Sequence, residues 1–163
     1  MSRLFVVTGA PGAGKSTVVP ELLRLRRTTS AGEGQLVVMD MDELLDADGR
    51  VLGVDIATSA AAANWPAYNA LWMRITELVR RSGTPMLLLT PDVPAQLPEG
   101  RWLHLDCPDA VRRKRLAARG WTEEQIAEAL ADAAEIRKLV PRSVAGDGTP
   151  EESARKILAW VNE

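Results

Sequence analysis

One octapeptide constrains the fold more than any other feature of this chain. Residues 9–16 read Gly-Ala-Pro-Gly-Ala-Gly-Lys-Ser and match the pattern G-x-x-x-x-G-K-[ST] in full. An apolar run, Leu4 to Val7, precedes the pattern, and a segment with helical spacing follows it. Glycines let a backbone wrap closely around an anion, and the first turn of a helix adds positive potential. We therefore predict a strand–loop–helix unit whose loop binds phosphate groups.

The types of residue in this loop also predict its ligands. Lys15 would neutralise the β- and γ-phosphates of a nucleotide, and the Ser16 hydroxyl would bind Mg²⁺. We expect ATP as the donor, although the loop alone does not exclude GTP. No N-K-x-D string for reading guanine occurs in the sequence. The residues expected to bind the nucleotide here are Gly9, Ala10, Pro11, Gly12, Ala13, Gly14, Lys15, Ser16 and Thr17.

Short apolar runs alternate with helical segments along the chain. This alternation predicts an α/β fold with three layers, in which helices cover both faces of a five-stranded parallel sheet of order 2-3-1-4-5. With 46% apolar residues the 163-residue chain can bury the core of a single domain, residues 1–163. The expected strands are Leu4 to Val7, Leu36 to Met39, Met86 to Leu89, Trp102 to Leu105 and, more weakly, Ser143 to Ala145.

Capping patterns mark the start of the last two helices. Thr122 with Gln125, and Thr149 with Glu152, have the spacing of a capping box. Pro141 would stop the first of these helices.

From Asp106 onward the chain resembles adenylate kinase and related small P-loop kinases. The resemblance implies a lid near residues 112–140, with Arg115 over the adenine and Arg119 on the ATP phosphates. It also implies that the loop holding Gly148 contacts adenine, although a turn and a helix cap would select the same residues. Arg112, Arg115 and Arg119 share one helical face. For Arg112, Arg113 and Lys114 a solvated basic face is the simpler interpretation.

The second strand ends in a D-x-D string that resembles the same point in shikimate kinase and other kinases of hydroxylated metabolites. If the chain stays extended, Asp40 and Asp42 would face the γ-phosphate together. Asp40 would then join Ser16 at the metal, and either carboxylate would activate the acceptor hydroxyl. The alternative is that one of the two caps a helix at Glu43.

The third strand departs from the nucleoside monophosphate kinases. Their Asp-Gly-x-Pro-Arg string is replaced here by residues 89–94, Leu-Thr-Pro-Asp-Val-Pro. Because two charged groups are missing, we expect an acceptor without a phosphate. Thr90 or Asp92 could replace the missing aspartate near the metal, or the segment could be a surface loop. No Gly-Gly-Gly string follows, so shikimate is not the expected acceptor.

Asp106 also follows an apolar strand, the fourth, but a helix cap is the simpler role for it.

Trp65, Tyr68 and Trp72 lie on one helical face between the second and third strands. Their rings could line the acceptor pocket, although an aromatic stripe at this spacing is more often part of a core.

Charge and composition exclude several classes of partner. A net charge of -2 and the absence of a long apolar segment argue against nucleic acid and membrane partners. The only cysteine, Cys107, excludes an internal disulfide and fits a cytoplasmic protein. The oligomeric state stays undetermined.

The sequence thus predicts an ATP-dependent kinase of a small hydroxylated acceptor, with Lys15, Asp40, Asp42 and Arg119 as catalytic residues. The alternatives are a nucleoside or nucleotide kinase, a drug-modifying phosphotransferase, and a regulatory ATP-binding module that transfers no phosphate.

Overall fold

Five parallel strands form the central sheet of this protein, which is represented by a computed structural model. The structure describes residues 4–26, 36–45, 49–56, 58–95 and 99–163. The sheet order is β2-β5-β1-β6-β7, which confirms the predicted order 2-3-1-4-5. The strands are β1 (Leu4–Thr8), β2 (Val37–Asp40), β5 (Met86–Thr90), β6 (Arg101–Asp106) and β7 (Ser143–Ala145).

Among the described residues, five α-helices cover the two faces of the sheet, as the three-layer prediction requires. They are α1 (Lys15–Leu25), α2 (Trp65–Ser82), α3 (Asp109–Ala118), α4 (Glu123–Leu139) and α5 (Pro150–Val161). Phe5 and Val7 of β1 pack in one cluster with α1 and α5, whereas Leu4 and Val6 pack in another with α2. Successive strand residues point to opposite faces, so β1 contributes to both halves of the core.

The region between β2 and α2 contains short elements, of which the sequence analysis offered only a helix at Glu43, as an alternative. Short 3₁₀ helices occupy Met41–Leu44 and Ser59–Ala63, and a two-stranded antiparallel hairpin pairs β3 (Arg50–Val51) with β4 (Val54–Asp55). Apolar periodicity cannot detect strands of two residues, because a single alternation carries no pattern.

Both predicted capping boxes are present. The Thr122 hydroxyl accepts from the Gln125 amide at 3.2 Å, and Thr149 does the same for Glu152 at 3.2 Å. Helix α4 ends at Leu139, ahead of Pro141 as expected.

Most of the predicted lid is packed against the body of the protein. Helix α4 buries Ile126, Ala129, Ala133 and Ile136, and two of these, Ala133 and Ile136, lie in one apolar cluster with Ala10 of the phosphate loop. The connection between α3 and α4, residues 119–122, is largely exposed. The lid near residues 112–140 therefore stays a prediction. Among the described residues, no helix is long and apolar enough to cross a membrane.

Candidate active site

The loop between β1 and α1 has the backbone conformation that its glycines predict. Gly12 and Gly14 have φ values of +81° and +100°, in the left-handed region that side chains disfavour. A Cβ at Gly9 would lie 2.7 Å from the Leu105 carbonyl oxygen. Glycine is therefore required at Gly9 by contact with β6 and at the other two positions by backbone conformation.

Lys15 is half-buried at the first position of α1, and its Nζ donates to the Gly9 carbonyl. Burial lowers the pKa of Lys15, and the nearby carboxylates of Asp42 and Asp40 oppose that shift. The ammonium group therefore contacts the start of the loop at Gly9 and lies within the electrostatic field of Asp40 and Asp42. The next side chain, Ser16, is exposed.

The chain does not stay extended from Asp40 to Asp42. The strand ends at Asp40, and the following residues form the 3₁₀ helix Met41–Leu44. The Asp40 carboxylate accepts from the Asp42 amide at 3.0 Å, and the Asp40 amide donates to Glu43 at 3.3 Å. Extension through Asp42 is therefore wrong, and the capping alternative is correct for Asp40. Burial raises the pKa of Asp40.

Ser16, Asp40 and Asp42 nevertheless line one shallow depression beside the loop. Hydroxyl and carboxylate oxygens are the ligands that Mg²⁺ prefers, usually together with substrate phosphates and water. No group of three or more His, Cys, Asp and Glu side chains within the described ranges could hold a metal ion by itself. The residues therefore fit a Mg²⁺ ion that arrives with a nucleotide.

A cavity of about 370 Å³ opens on the α2 side of the loop, and we call it the aromatic cavity. Trp65 and Tyr68 line it, as do Asp42 and Asp92. Tyr68 is also 7% exposed and packs edge-on against Trp65, with ring centroids 5.7 Å apart. The aromatic stripe thus belongs to both the core and a pocket, which the sequence treated as alternatives.

A second cavity, of about 430 Å³, lies on the other side of the loop, and we call it the Arg115 cavity. Arg115 donates to the carbonyls of Gly12 at 3.1 Å and Gly146 at 2.8 Å. Gly148 and Thr17, two of the predicted nucleotide-binding residues, also line this cavity. Arg119 lines both cavities, so it lies where the two spaces meet.

Gly146 is a residue of this region that the sequence analysis missed. A Cβ at this position would lie 2.5 Å from the Ala13 carbonyl oxygen, and the Gly146 amide donates to the Asp106 carbonyl at 2.6 Å. Because β7 and the phosphate loop meet here, only glycine fits. The Gly-x-Gly spacing of residues 146–148 directly after a weak strand is the signal that could have indicated it.

Arg112 corrects the prediction of a solvated basic face on α3. The residue is fully buried, and its guanidinium donates to the Pro11 carbonyl at 2.6 Å and to Asp106 at 2.8 Å. Asp106 also accepts from Arg137 at 2.7 Å, so it is an ion-pair centre and not the predicted helix cap. Burial alone would raise the pKa of Asp106, but the Arg137 hydrogen bond and charge hold it below the ordinary value.

Thr90 and Asp92, at the end of β5, also come close to the loop. The Thr90 hydroxyl is buried and accepts from the Asp92 amide at 3.0 Å. Burial raises the pKa of Asp92, and the Thr90 hydroxyl partly opposes this. Asp92 lines the aromatic cavity, so the segment is more than a surface loop. Whether it serves a metal is untested and stays a prediction.

Comparison with known proteins identifies the family and the fold. The family described as AAA domain matches residues 6–137. No curated protein has a matching sequence.

Three solved structures illustrate the likeness in fold. Shikimate kinase from Aquifex aeolicus has a TM-score of 0.62 at 18% identity, covering 96% of this chain and 94% of its own. A putative kinase from Chloroflexus aurantiacus scores 0.71 at 14% identity, covering 97% and 92%. A gluconokinase from Sinorhizobium meliloti scores 0.61 at 18% identity, covering 97% and 90%. At such identities the likeness shows the small P-loop kinase fold.

Proposed function

The chain belongs to the AAA domain family of P-loop proteins, and on that premise we propose that it is an ATP-dependent small-molecule kinase. It transfers the γ-phosphoryl group of ATP to a hydroxyl group of a small acceptor that carries no phosphate. The function rests on the fold and on the arrangement of cavities around the phosphate loop.

The observation that carries the proposal is the pair of cavities on either side of the loop. Ala13 and Gly14 line both, and so does Arg119. A phosphotransferase needs a donor site and an acceptor site that meet at the transferred phosphate, whereas a regulatory module needs one nucleotide site. We assign the nucleoside of ATP to the Arg115 cavity and the acceptor to the aromatic cavity.

The chemistry follows from the residues at the junction. Lys15 stabilises the charge of the transferring phosphoryl group, and Arg119 closes over it from the α3 side. Ser16 and Asp40 would hold Mg²⁺, which would supply positive charge to neutralise the phosphate groups of the nucleotide. Asp42 lines the aromatic cavity beside Lys15 and accepts the proton of the acceptor hydroxyl.

Charge in the aromatic cavity supports an acceptor without a phosphate. Its basic residues, among those described, are Lys15 and Arg119, which both serve the donor side. The acceptor side instead presents Asp42 and Asp92. Because Lys15 and Arg119 are assigned to the donor phosphates, the two carboxylates on the acceptor side would repel an anionic acceptor, so the cavity favours neutral or amine-bearing hydroxyl compounds.

An ATP-consumption assay over nucleosides, nucleotides, sugars and hydroxylated antibiotics tests the proposal. We expect turnover above the basal hydrolysis rate with at least one neutral or amine-bearing hydroxyl compound, and none with nucleoside monophosphates. Lys15→Ala should lower that turnover by about 10²–10³-fold. Lys114→Ala, which removes an exposed lysine of α3, is the matched control and should change it little.

Each contrary result has a distinct meaning. Tight ATP binding without acceptor-stimulated turnover would favour the regulatory module. Phosphorylation of a nucleoside monophosphate would overturn the acceptor class. Full activity of Lys15→Ala would overturn the site itself.

A further inference from the structure

The aromatic cavity contains one carboxylate to which the proposed chemistry gives no task. Asp42 is assigned to the acceptor hydroxyl, and Ser16 and Asp40 are assigned to the metal. Asp92 is half-buried two residues beyond β5 and lines the aromatic cavity. It also lines a smaller cavity, of about 220 Å³, that shares several wall residues with the first. A ligand in the aromatic cavity can therefore reach Asp92.

Two buried threonines hold the backbone of Asp92. The Thr8 hydroxyl donates to the Asp92 carbonyl at 2.7 Å, and the Asp92 amide donates to the Thr90 hydroxyl at 3.0 Å. Both threonines are 0% exposed, and they end the paired strands β1 and β5. Asp92 is thereby fixed at the carboxyl edge of the sheet, where α/β proteins bind their ligands.

The charge of Asp92 has no counter-ion within the described ranges. Lys15 and Arg119 line the same cavity, but neither forms an ion pair with Asp92. Burial raises the pKa of Asp92, and the group that opposes this shift is the Thr90 hydroxyl, not a cation. Because burial disfavours a charged carboxylate and an opposite charge stabilises it, a cationic ligand group would be favoured here.

Aromatic side chains surround the same space. Trp65, Tyr68 and Trp121 line the aromatic cavity together with Asp92. Trp65 and Trp121 are only partly buried, so a ligand can reach both side chains. The face of an aromatic ring attracts a cation, and it does so most strongly for tryptophan and where water is excluded. The rings and the carboxylate thus favour the same kind of ligand group.

We propose that Asp92 is the counter-ion of an ammonium group on the acceptor, so that the substrate class is a hydroxylated amine. The ammonium group lies against Asp92 and the aromatic walls, and the hydroxyl group of the same molecule lies beside Asp42 and Lys15. A neutral polyol would leave the Asp92 charge uncompensated, and an anionic acceptor would be repelled by it. The term acceptor rests on the proposed kinase function, whereas the cation site rests on Asp92 and the rings around it.

Titration of ¹⁵N-labelled protein with two pairs of probes tests the cation site without ATP. Choline and 3,3-dimethylbutan-1-ol have the same shape, but a neutral carbon in the second replaces the quaternary nitrogen of the first. Glucosamine and glucose differ by one ammonium group in place of a hydroxyl group. A cavity of roughly 150 Å³ can hold a benzene-sized ring, so the aromatic cavity, of about 370 Å³, has room for each probe.

The five tryptophans provide indole signals that report where a probe binds. The signals that Trp65→Phe and Trp121→Phe remove are those of Trp65 and Trp121. In at least one pair, we expect the cation to shift these two signals and to bind at least tenfold more tightly than the neutral probe.

Asparagine substitutions separate charge from shape. Asp92→Asn keeps the size of the side chain, so it should weaken binding of the preferred cation at least tenfold and leave binding of its neutral counterpart unchanged. Asp132→Asn is the matched control, because it removes an exposed carboxylate of α4, and it should alter neither affinity. Asp42→Asn should weaken cation binding less than Asp92→Asn does, because Asp42 lies in the field of Lys15.

Four results would overturn the cation site. The first two are equal affinities within both pairs and no measurable binding of either cation. The third is an equal loss of cation and neutral probe in Asp92→Asn, which would indicate packing instead of charge. The fourth is a larger loss of cation binding in Asp42→Asn than in Asp92→Asn, which would assign the cation to Asp42.

Comparison of binding with turnover separates this proposal from the kinase assignment. If the cations bind as expected and no acceptor is phosphorylated, the kinase assignment fails and the cation site stands. If acceptors are phosphorylated and Asp92→Asn leaves the KM of every acceptor unchanged, the cation site fails and the kinase assignment stands.

Discussion

At the residue scale, Asp40 and Asp42 have different surroundings, because only Asp40 caps the 3₁₀ helix Met41–Leu44. Asp40 uses its carboxylate to hold the Asp42 amide, so its freedom to move toward a substrate is limited. Asp42 makes no cap of its own and lines the aromatic cavity directly. Asp42 is therefore the better candidate for the general base, and Asp40 for the metal.

Asparagine substitutions distinguish these tasks. We expect Asp42→Asn to lower kcat about 10²–10⁴-fold, the usual contribution of a general base, with the KM for ATP little changed. Asparagine caps a helix about as well as aspartate, so Asp40→Asn should keep the fold and instead raise the Mg²⁺ concentration needed for half-maximal rate. Steady-state kinetics over a Mg²⁺ series measures both effects.

The control for these two variants is Asp132→Asn, which changes an exposed carboxylate of α4. It should alter neither kcat nor the Mg²⁺ requirement. Retention of full kcat by Asp42→Asn would remove Asp42 from the mechanism.

At the element scale, the phosphate loop is supported from behind by α3 and α4. Arg112 of α3 donates to the carbonyls of Ala10 at 3.1 Å and Pro11 at 2.6 Å, and Asp106 links it to Arg137 of α4. These bonds point the loop carbonyls toward the arginine. The Gly9 and Ala13 amides donate to the carbonyls of Thr90 and Ala10, so the phosphates are proposed to bind the other amides of the loop.

Arg112→Met should therefore damage both stability and nucleotide binding. Removing one member of a buried ion pair costs about 3–5 kcal/mol, and Arg137 still pairs with Asp106, so we expect the lower end of that range. Urea unfolding and ATP titration measure the two effects.

The matched control is Arg113→Met. Arg113 is exposed and pairs with Glu123 at 2.6 Å, and an exposed pair of this type contributes about 0–1 kcal/mol. Equal losses in the two variants would contradict the support role.

The surroundings of α3 show which features of the fold could be predicted from the sequence and which could not. The strands, their order and both capping boxes follow from apolar runs and from residue chemistry next to helices. The burial of Arg112 does not, because spacing gives the face of a helix but not what packs against it. Asp106 was missed for the same reason, since its partner Arg137 lies 31 residues further along the chain.

At the scale of the whole molecule, the carboxyl ends of β1, β2 and β5 bring the candidate site together. Thr8, Asp40 and Thr90 end these three strands, and parallel strands end on the same edge of their sheet. The sheet order was predicted, so the approach of the D-x-D segment to the phosphate loop was predictable. The shape of the acceptor side was not, because it depends on 3₁₀ helices and a two-residue hairpin that carry no periodic signal.

The interior of the sheet also predicts how the stability of the whole molecule depends on pH. His104, the only histidine, lies on β6 between β1 and β7 and is 1% exposed. Neither ring nitrogen has a hydrogen-bond partner among the described residues, and Nε2 lies 3.7 Å from Asp106. Burial lowers the pKa of His104 from its ordinary value of 6.5, and the Asp106 carboxylate only partly opposes this.

Because the folded pKa of His104 lies below the unfolded one, the unfolded chain binds a proton that the folded chain does not. Stability should therefore fall as the pH drops below about 6.5, by up to about 1.4 kcal/mol per pH unit. The raised pKa values of Asp40 and Asp92 act in the opposite direction, because as the pH falls the folded chain protonates these two carboxylates before the unfolded chain does.

Comparison of the wild type with His104→Leu cancels the contributions of Asp40 and Asp92, which both proteins share. Urea unfolding between pH 7 and pH 5 should show the wild type losing about 1–2 kcal/mol more than the variant, whereas parallel curves would mean that His104 is protonated equally in the folded and unfolded chains.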